Sequence, residues 1–182
     1  MRRDFRLAAN GVTVICPEVP VGSSGVVNGR TYTKRTSDEI TPLNASTTCT
    51  SGITDMSDMF SGLEEFNRDI SSWDTSNVTI MTSMFQDAFA FNQSIGAWDT
   101  SNVTDMSVAF AGARAFDQNI GAWDTSNETD MRSMFEDASA FNQDLSKWCV
   151  SRFSSKPTSF DLGASAWNTV NRQPVWGTCP PR

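Results

Sequence analysis

One seven-residue phrase returns at a fixed interval in this chain of 182 residues. "WDTSNVT" begins at Trp73 and again at Trp98, and "WDTSNET" begins at Trp123, so the phrase recurs every 25 residues. A fixed period of about 20–50 residues is typical of proteins built from repeated structural units. Each unit is too small to hold a core of its own, and neighbouring units bury their apolar residues by stacking.

The repeats occupy residues 49–148 as four units, and a degraded unit follows at 149–167. Apolar residues keep the same position in every unit, which predicts a single core running through all of them. Five columns follow the period: Trp73, Trp98, Trp123 and Trp148; Met56, Met81, Met106 and Met131; Phe60, Phe85, Phe110 and Phe135; Phe66, Phe91, Phe116 and Phe141; Ile70, Ile95, Ile120 and Leu145.

The spacing of apolar residues within one unit is similar to that of leucine-rich repeats. It predicts a right-handed, leucine-rich-repeat-like solenoid of about four 25-residue coils. Short parallel strands about 4.8 Å apart would alternate with helical or 3-10 segments such as "MSDMFSGL" and "MTSMFQDAF". Because the end coils of a solenoid would expose its core, we expect two caps. Residues 1–48 would form the N-terminal cap, 49–148 the four repeats, and 149–182 the degraded repeat with the C-terminal cap.

The repeated phrase "FNQ-[DSN]-I-x-x-WDTSNVTDM-x-x-MF" resembles the 25-residue repeat of BspA-like surface proteins, the DUF285 or Mycoplasma-lipoprotein-type repeats. The resemblance covers residues 49–148, and the segment "LAANGVTVICPEVPVGSSGVVNGRTYTKRT" is similar to the lead-in before such arrays. It implies a leucine-rich-repeat-like solenoid on secreted or surface-displayed proteins, most of which are described as adhesins or are uncharacterised. It supplies no catalytic residues.

Four cysteines fall into two pairs, one toward each end of the chain. Cys49 and Cys149 stand in the register of the repeated Asp, where the array begins and ends. We therefore predict the disulfides Cys16–Cys49 and Cys149–Cys179, each contributing about 3 kcal/mol by closing a loop, and an oxidising compartment. The alternative is four buried free thiols. A zinc site is not expected, because the chain has no histidine and no CxxC spacing.

Two polar columns follow the same period. Asp74, Asp99 and Asp124 begin a "D-T-S-N" turn, in which an Asp side chain accepts backbone N–H groups two residues on. Capping is the favoured interpretation of this column, and calcium binding by stacked carboxylates is the alternative. The column of Asn67, Asn92 and Asn142, in which Asp117 replaces one Asn, predicts a ladder that satisfies buried backbone groups.

Threonine forms two further columns, and each has a structural and a functional interpretation. A regular array of hydroxyls can match an ice or mineral lattice. The spacing of four residues within a unit is a weak match to that pattern, and β-propensity with hydroxyl-to-backbone bonding explains the threonines as well. The columns are Thr50, Thr75, Thr100 and Thr125, and Thr54, Thr79, Thr104 and Thr129.

Net charge and motif content exclude several classes of function. The chain carries 21 acidic and 14 basic side chains, a net charge of −7, without a basic stripe for nucleic acid. Membrane insertion is not expected, because no apolar run approaches the roughly 20 residues that a bilayer requires. We expect no signal peptide in this chain, and either a removed leader or a longer parent protein. Without histidine or a nucleophile motif we predict no enzymatic activity and no cofactor.

With these classes excluded, we predict a non-enzymatic module that is secreted or lies on the cell surface and has a binding or structural role. Its partner would be a protein, a glycan or another copy of the chain, as in adhesion. A binding site for an irregular partner needs varied side chains, so recognition is predicted at Glu64, Glu65, Arg114 and Glu136, which differ from unit to unit. Lattice binding and a role as a structural subunit of a larger complex are the alternatives.

Five sites match the N-x-[ST] pattern for glycosylation: Asn44, Asn77, Asn92, Asn102 and Asn127. Glycans on neighbouring repeats would collide, so Asn44, outside the array, is the best candidate.

Overall fold

Regular strands are confined to the first 49 residues of the computed structural model, which describes residues 4–167 and 172–181. A two-stranded antiparallel sheet contains β1 and β2, and a three-stranded sheet has the order β3-β4-β5, with β4 and β5 parallel. The strands are β1 (Arg6–Leu7), β2 (Val14–Ile15), β3 (Ser24–Val27), β4 (Arg30–Lys34) and β5 (Thr48–Cys49). Two short 3-10 helices, Ser37–Glu39 and Ala45–Thr47, connect β4 to β5.

The β3–β4 hairpin follows from its turn residues. Asn28 and Gly29 both have positive φ, 50° and 77°, as a two-residue turn between right-twisted strands requires. The hairpin and its neighbours enclose a small hydrophobic cluster of their own, with Phe5 and Leu7 packed against it. The buried members are Val14, Cys16, Val19, Val27, Tyr32 and Cys49. Residues 4–48, called the N-terminal cap below, therefore have a small core of their own, while Ile40 and Ala45 belong to the core of the repeats.

The prediction of a leucine-rich-repeat-like solenoid of short parallel strands is wrong. Between residues 50 and 167 the structure contains no strand and no helix. The segments expected to be helical, 56–63 and 81–89, consist largely of turns. Parallel pairing is reduced to isolated bridges that link Asp55 to Ile80, Ile80 to Asp105 and Asp105 to Asp130.

Left-handed residues explain why neither strands nor helices form in the repeats. Each of the four units has a pair of residues with positive φ, four positions apart, and the first unit has a third in Gly52. Such a residue interrupts both extended and right-handed helical backbone. The first series is Asp58, Ser83, Val108 and Ser133, and the second is Gly62, Asp87, Gly112 and Asp137. Sequence spacing did not reveal them, because apart from the glycines none of these residue types requires that conformation.

Backbone hydrogen bonds still join each unit to the next in a constant register. The N–H of Met56 donates to the carbonyl of Ile80, and the N–H of Phe60 donates to that of Met84, both at 3.0 Å. Val14 of the N-terminal cap joins the first unit through its N–H, which donates to Ser72 O at 2.8 Å. Residues 49–148, called the repeat stack below, thus lie unit against unit although they lack a sheet.

Aromatic rings fill the interior of the repeat stack. Neighbouring rings of the Trp column are 6.1–6.5 Å apart and within 8° of parallel. The indole N–H of each Trp donates to a backbone carbonyl of the preceding unit: Trp98 to Ile70 and Trp123 to Ile95, both at 3.2 Å. For Trp73 the acceptor is Ala45 O of the N-terminal cap, so residue 45 takes the place that Ile70 has in the next unit.

Both predicted disulfides are present, Cys16–Cys49 and Cys149–Cys179. The second fastens the chain end to the degraded repeat, where the N–H of Val150 donates to Thr178 O at 2.8 Å. Two disulfides are consistent with an oxidising compartment. None of the helices in the described residues has the length and apolar character needed to cross a bilayer.

Candidate interaction face

The Asp column serves the turns of the repeats. Asp99 Oδ1 accepts the backbone N–H of Ser101 at 3.0 Å and its hydroxyl at 2.6 Å. Asp74 and Asp124 hold the serines two residues after them in the same way. In the part of the chain that the structure describes, no group of three His, Cys, Asp or Glu side chains is placed to hold a metal ion.

The Asn column forms a ladder between units. Asn67 Oδ1 accepts the N–H of Asn92 at 3.0 Å and the side-chain amide of Gln93 at 2.8 Å. Asn92 and Asp117 repeat this pattern toward the next unit. The position requires only an acceptor oxygen, which explains why Asp117 can replace asparagine. Asn142 is the last member of the ladder, and its N–H donates to Asp117 Oδ1.

The threonine hydroxyls are bonded to backbone carbonyls of neighbouring units. Thr75, Thr100 and Thr125 are buried, and their hydroxyls donate forward, as from Thr75 to Asp99 O at 2.9 Å. The exposed Thr79, Thr104 and Thr129 donate backward, as from Thr79 to Thr54 O at 3.1 Å. The uniform columns therefore serve the contacts between units.

The varied residues form a column on the surface. Equivalent positions are identified by one hydrogen bond: the carbonyls of Glu64, Phe89 and Arg114 each accept an N–H from the following unit, at 2.9, 3.1 and 3.2 Å. Three of the four predicted recognition residues are exposed, namely Glu64, Glu65 and Arg114. Glu64 and Arg114 share this column, and Glu65 adjoins it. Among the described residues no side-chain hydrogen bond or ion pair joins the predicted recognition residues to one another.

Glu64, Glu65, Phe89 and Arg114 are called the candidate interaction face below, and Phe89 is the member that the sequence-based prediction missed. It stands between Glu64 and Arg114 in the column, and the guanidinium of Arg114 lies over its ring, 4.3 Å from the centroid. Such a cation–π contact holds the guanidinium plane in place. The available signal was the unit "QDAFA", which has an aromatic residue where the other units have Glu, Arg or Ser.

Glu136, the fourth predicted recognition residue, is half-buried and lies in a neighbouring column. Its carbonyl accepts the N–H of Gly112 at 2.7 Å. The next column alternates between glycine and aspartate. A Cβ at Gly112 would overlap the carboxylate of Asp87, and one at Gly163 would overlap that of Asp137. This alternation keeps the two carboxylates from facing each other on adjacent units, where like charges would repel.

One acidic residue lies inside the core. Glu128 is fully buried in the column where the first three units have Ile53, Val78 and Val103. Neither carboxyl oxygen has a hydrogen-bond partner among the described residues. Burial, with repulsion from Asp105 and Asp130, raises the pKa of Glu128 from 4.5 to about 8. The carboxyl is therefore largely protonated at neutral pH, and it is closed off from any large substrate.

Asn44, the candidate for glycosylation, is engaged at both ends of its side chain. Its Oδ1 accepts the N–H of Thr41 and its Nδ2 donates to Glu39 O, both at 2.9 Å. Asn102 and Asn127 likewise donate their side-chain amides to carbonyls of the preceding unit. Asn77 is exposed, and no hydrogen bond from its side chain is found among the described residues. Asn77 is thus the more accessible acceptor.

The protein is thus a stack of 25-residue units, with one disulfide at each end of the stack. The family model for "Mycoplasma protein of unknown function, DUF285" matches residues 31–148 and 93–174. This chain belongs to the DUF285 family. No curated protein and no solved structure matches the chain.

Proposed function

We propose that this protein is a non-enzymatic binding module, secreted or displayed on a cell surface, whose exposed varied column contacts a protein partner. The stack of Arg114 on Phe89 is the observation that carries this proposal. Arginine and aromatic side chains are enriched at protein interfaces and dominate their binding energy. Arg114 is exposed and Phe89 is half-buried, and a pair that is already ordered loses less conformational freedom on binding than two mobile side chains.

Charge on the same surface favours a partner with basic residues. Glu64 is exposed within the column and Glu65 beside it, and the chain as a whole has a net charge of −7. Opposite charges at the rim of an interface accelerate association and exclude partners of the wrong sign. Arg114 carries the opposite charge to Glu64 within this column and sets the orientation of such a partner.

A binding role also agrees with the chemistry that the chain carries. It has no histidine. Glu128, whose pKa is strongly raised, lies in the core, whereas a general acid must reach its substrate. The two disulfides support the extracellular setting. Glycan binding, self-assembly, lattice binding and a subunit role remain predictions for which no contact in the structure gives specific support.

The experiment that tests the proposal compares variants of the varied column against a library of extracellular proteins from the source organism. We expect Arg114→Ala and Phe89→Ala each to weaken binding of the partner by about tenfold or more, as for interface hot spots. Lys147→Ala, which removes an exposed charge outside the column, is the matched control. Full binding by the Phe89→Ala, Arg114→Ala double variant in a folded protein would exclude this face.

A further inference from the structure

The first unit of the repeat stack has hydrogen-bond donors whose counterparts in later units find their acceptors in the preceding unit, and no repeat unit precedes the first. In the second unit the N–H of Ala90 donates to Glu64 O, the N–H of Asn92 donates to Asn67 Oδ1, and Gln93 Nε2 donates to the same oxygen. The equivalent groups of the third and fourth units donate to their preceding units in the same way.

The equivalent donors of the first unit are the N–H groups of Glu65 and Asn67 and the guanidinium of Arg68. None of them has an acceptor among residues 4–167 and 172–181. The reason lies in the N-terminal cap. Ala45 accepts the Trp73 indole N–H in the place of Ile70, and Pro42 lies beside Asn67 and Arg68 in the wall of the groove described next. Proline has no side-chain acceptor, and the ladder ends there.

A groove of about 390 Å³ opens at this point. Pro42, Leu63 and Phe66 supply apolar walls, and Glu64, Glu65, Asn67 and Arg68 supply polar groups. Leu63 is 37% exposed, whereas its counterparts Ala88, Ala113 and Ala138 are fully buried beneath neighbouring units. The groove therefore lies where a preceding unit would otherwise cover the first unit.

We propose that this groove docks an extended polypeptide segment in which a basic residue is followed three positions later by aspartate. The segment would take the position of a preceding unit. A backbone carbonyl would accept the N–H of Glu65, and the aspartate would accept the N–H of Asn67 and pair with Arg68. The chain itself shows that aspartate fits, because Asp117 accepts the N–H of Asn142 at 2.9 Å and Gln143 Nε2 at 2.7 Å.

Charge complementarity selects this pattern over the neutral asparagine of the inner units. Arg68 replaces the glutamines of the other units, and a guanidinium binds carboxylate more strongly than an amide oxygen. At the other end of the segment, Glu64 and Glu65 favour a basic residue. The chain's own "ARAFDQ", residues 113–118, has this pattern, with Arg114 and Asp117 three positions apart. The groove shares Glu64 and Glu65 with the column of the proposed function, but the inference does not depend on Phe89 and Arg114.

The test uses the intact protein and a fluorescent peptide of residues 112–119, "GARAFDQN", titrated by anisotropy. We expect saturable binding, which a peptide carrying Asp117→Leu loses. Arg68→Glu in the protein should weaken binding about tenfold or more, because it replaces the cationic donor with a like charge. Arg114→Ala in the protein should leave peptide binding unchanged, which separates this site from the candidate interaction face.

A matched pair of variants isolates the backbone donor. Glu65→Pro removes the N–H, and Glu65→Ala removes only the carboxylate, while neither breaks a hydrogen bond that the structure contains. We expect Glu65→Pro to bind the peptide about fivefold more weakly than Glu65→Ala, the effect of one hydrogen bond. If Glu65→Pro fails to fold, Leu63→Arg fills the groove instead and should abolish binding. The proposal is overturned if the peptide of residues 112–119 and its Asp117→Leu form bind equally well, or if the unchanged peptide does not bind at about 1 mM. So does a sedimentation result in which the protein self-associates through this groove and Leu63→Arg makes it monomeric.

Discussion

The two ends of the repeat stack are closed in different ways. At the N-terminal end, a separate hydrophobic cluster with its own sheets and a fully buried disulfide covers the first unit. At the C-terminal end, the core of the stack itself continues into the degraded repeat, and its rings turn edge-on. The ring planes of Phe135 and Phe160 are at 89°, and those of Phe141 and Trp167 are at 86°.

This difference shows what extends a repeat stack and what ends it. Within the stack the Phe91 and Phe116 rings are within 9° of parallel, so each ring offers a flat face to the next. A ring that turns edge-on no longer offers that face in the direction of the stack, and the column ends. Both ends contribute residues to the core of the repeats, Ile40 and Ala45 from the N-terminal cap and Phe160 and Trp167 from the C-terminal end, but only the N-terminal cap adds a second core. A substitution that destabilises the repeat stack should therefore lower the stability of the C-terminal end more than that of the N-terminal cap.

Trp98→Ala provides the largest test of this comparison. Trp98 is 4% exposed, stacks on Trp73 and Trp123, and donates its indole N–H to Ile70 O. We expect a loss of about 3–5 kcal/mol in the free energy of unfolding, because an aromatic side chain leaves a packed column. Urea unfolding followed by fluorescence and circular dichroism measures the loss.

Hydrogen exchange on the same variant separates the two ends. Trp98→Ala should lower protection in residues 124–167 more than in the N-terminal cap. Trp176→Ala is the matched control, since Trp176 is only half-buried and packs at the edge of the core against Phe153 and Phe160. A loss below about 1 kcal/mol for Trp98→Ala would contradict the burial of the Trp column.

The disulfides provide the second test. Removing either one by a double Cys→Ser substitution should cost about 3 kcal/mol, because the loops they close are similar in length, with separations of 33 and 30 residues. Their reactivity should differ. Cys16 and Cys49 are fully buried, whereas Cys179 is exposed. Limited reduction followed by alkylation should label Cys149 and Cys179 first, as peptide mapping would show. Equal labelling rates would mean that the N-terminal cap opens as readily as the chain end.

Glu128 makes the unit next to the C-terminal end sensitive to pH. The folded protein keeps the Glu128 proton up to about pH 8, and the unfolded chain loses it near pH 4.5. Between these values the folded state binds more protons, so stability falls as pH rises through this window. We expect Glu128 to contribute a loss of about 2–3 kcal/mol between pH 5 and pH 7.

Two substitutions at this position distinguish charge from packing. Glu128→Gln should remove the decrease in stability over this pH range, because it has no ionisable proton. Glu128→Val should remove the decrease and also stabilise the protein at pH 7, because Val78 and Val103 occupy the same column in neighbouring units. A decrease of the same size in Glu128→Val, measured by urea unfolding at several pH values, would assign it to other carboxyls. Val103→Thr serves as a polar control without charge.

The sequence predicted the features that depend on side-chain identity at a fixed period. Burial of the Trp and Phe columns and both disulfides follow from residue type and register, and the structure shows them. The Asn column does form a ladder between units, but on exposed or half-buried residues rather than around the buried backbone groups that were expected. The absence of strands from the repeats was not predictable in this way. Apolar spacing of three residues fits a chain of turns as well as it fits a leucine-rich repeat, and the choice is made by backbone conformation at residues such as Ser83 and Asp87.

The interaction sites were predicted only in part. Glu64, Glu65 and Arg114 are exposed because varied polar residues in a repeat face solvent. Phe89 was missed, since an aromatic residue in a repeat protein is more often part of the core. The groove at Pro42 depends on where the N-terminal cap meets Asn67 and Arg68 of the first unit. The cap lacks the repeated phrase that would have set its register.

Val108 provides the smallest test and lies in the third unit, outside both ends. Its φ of 61° is left-handed, and a β-branched side chain is strained there. Asp58, Ser83 and Ser133 hold the same conformation without that branching. Val108→Asn should therefore raise the free energy of unfolding by about 1 kcal/mol, since asparagine tolerates the left-handed region. Ser133→Asn is the matched control and should give a smaller gain.

Half-buried Val108 also gives up packing in this exchange. If Val108→Asn instead lowers stability in urea unfolding while Ser133→Asn raises it, packing outweighs strain at this position. The left-handed turns would then be fixed by contacts between units rather than by the conformational preferences of the residues that adopt them.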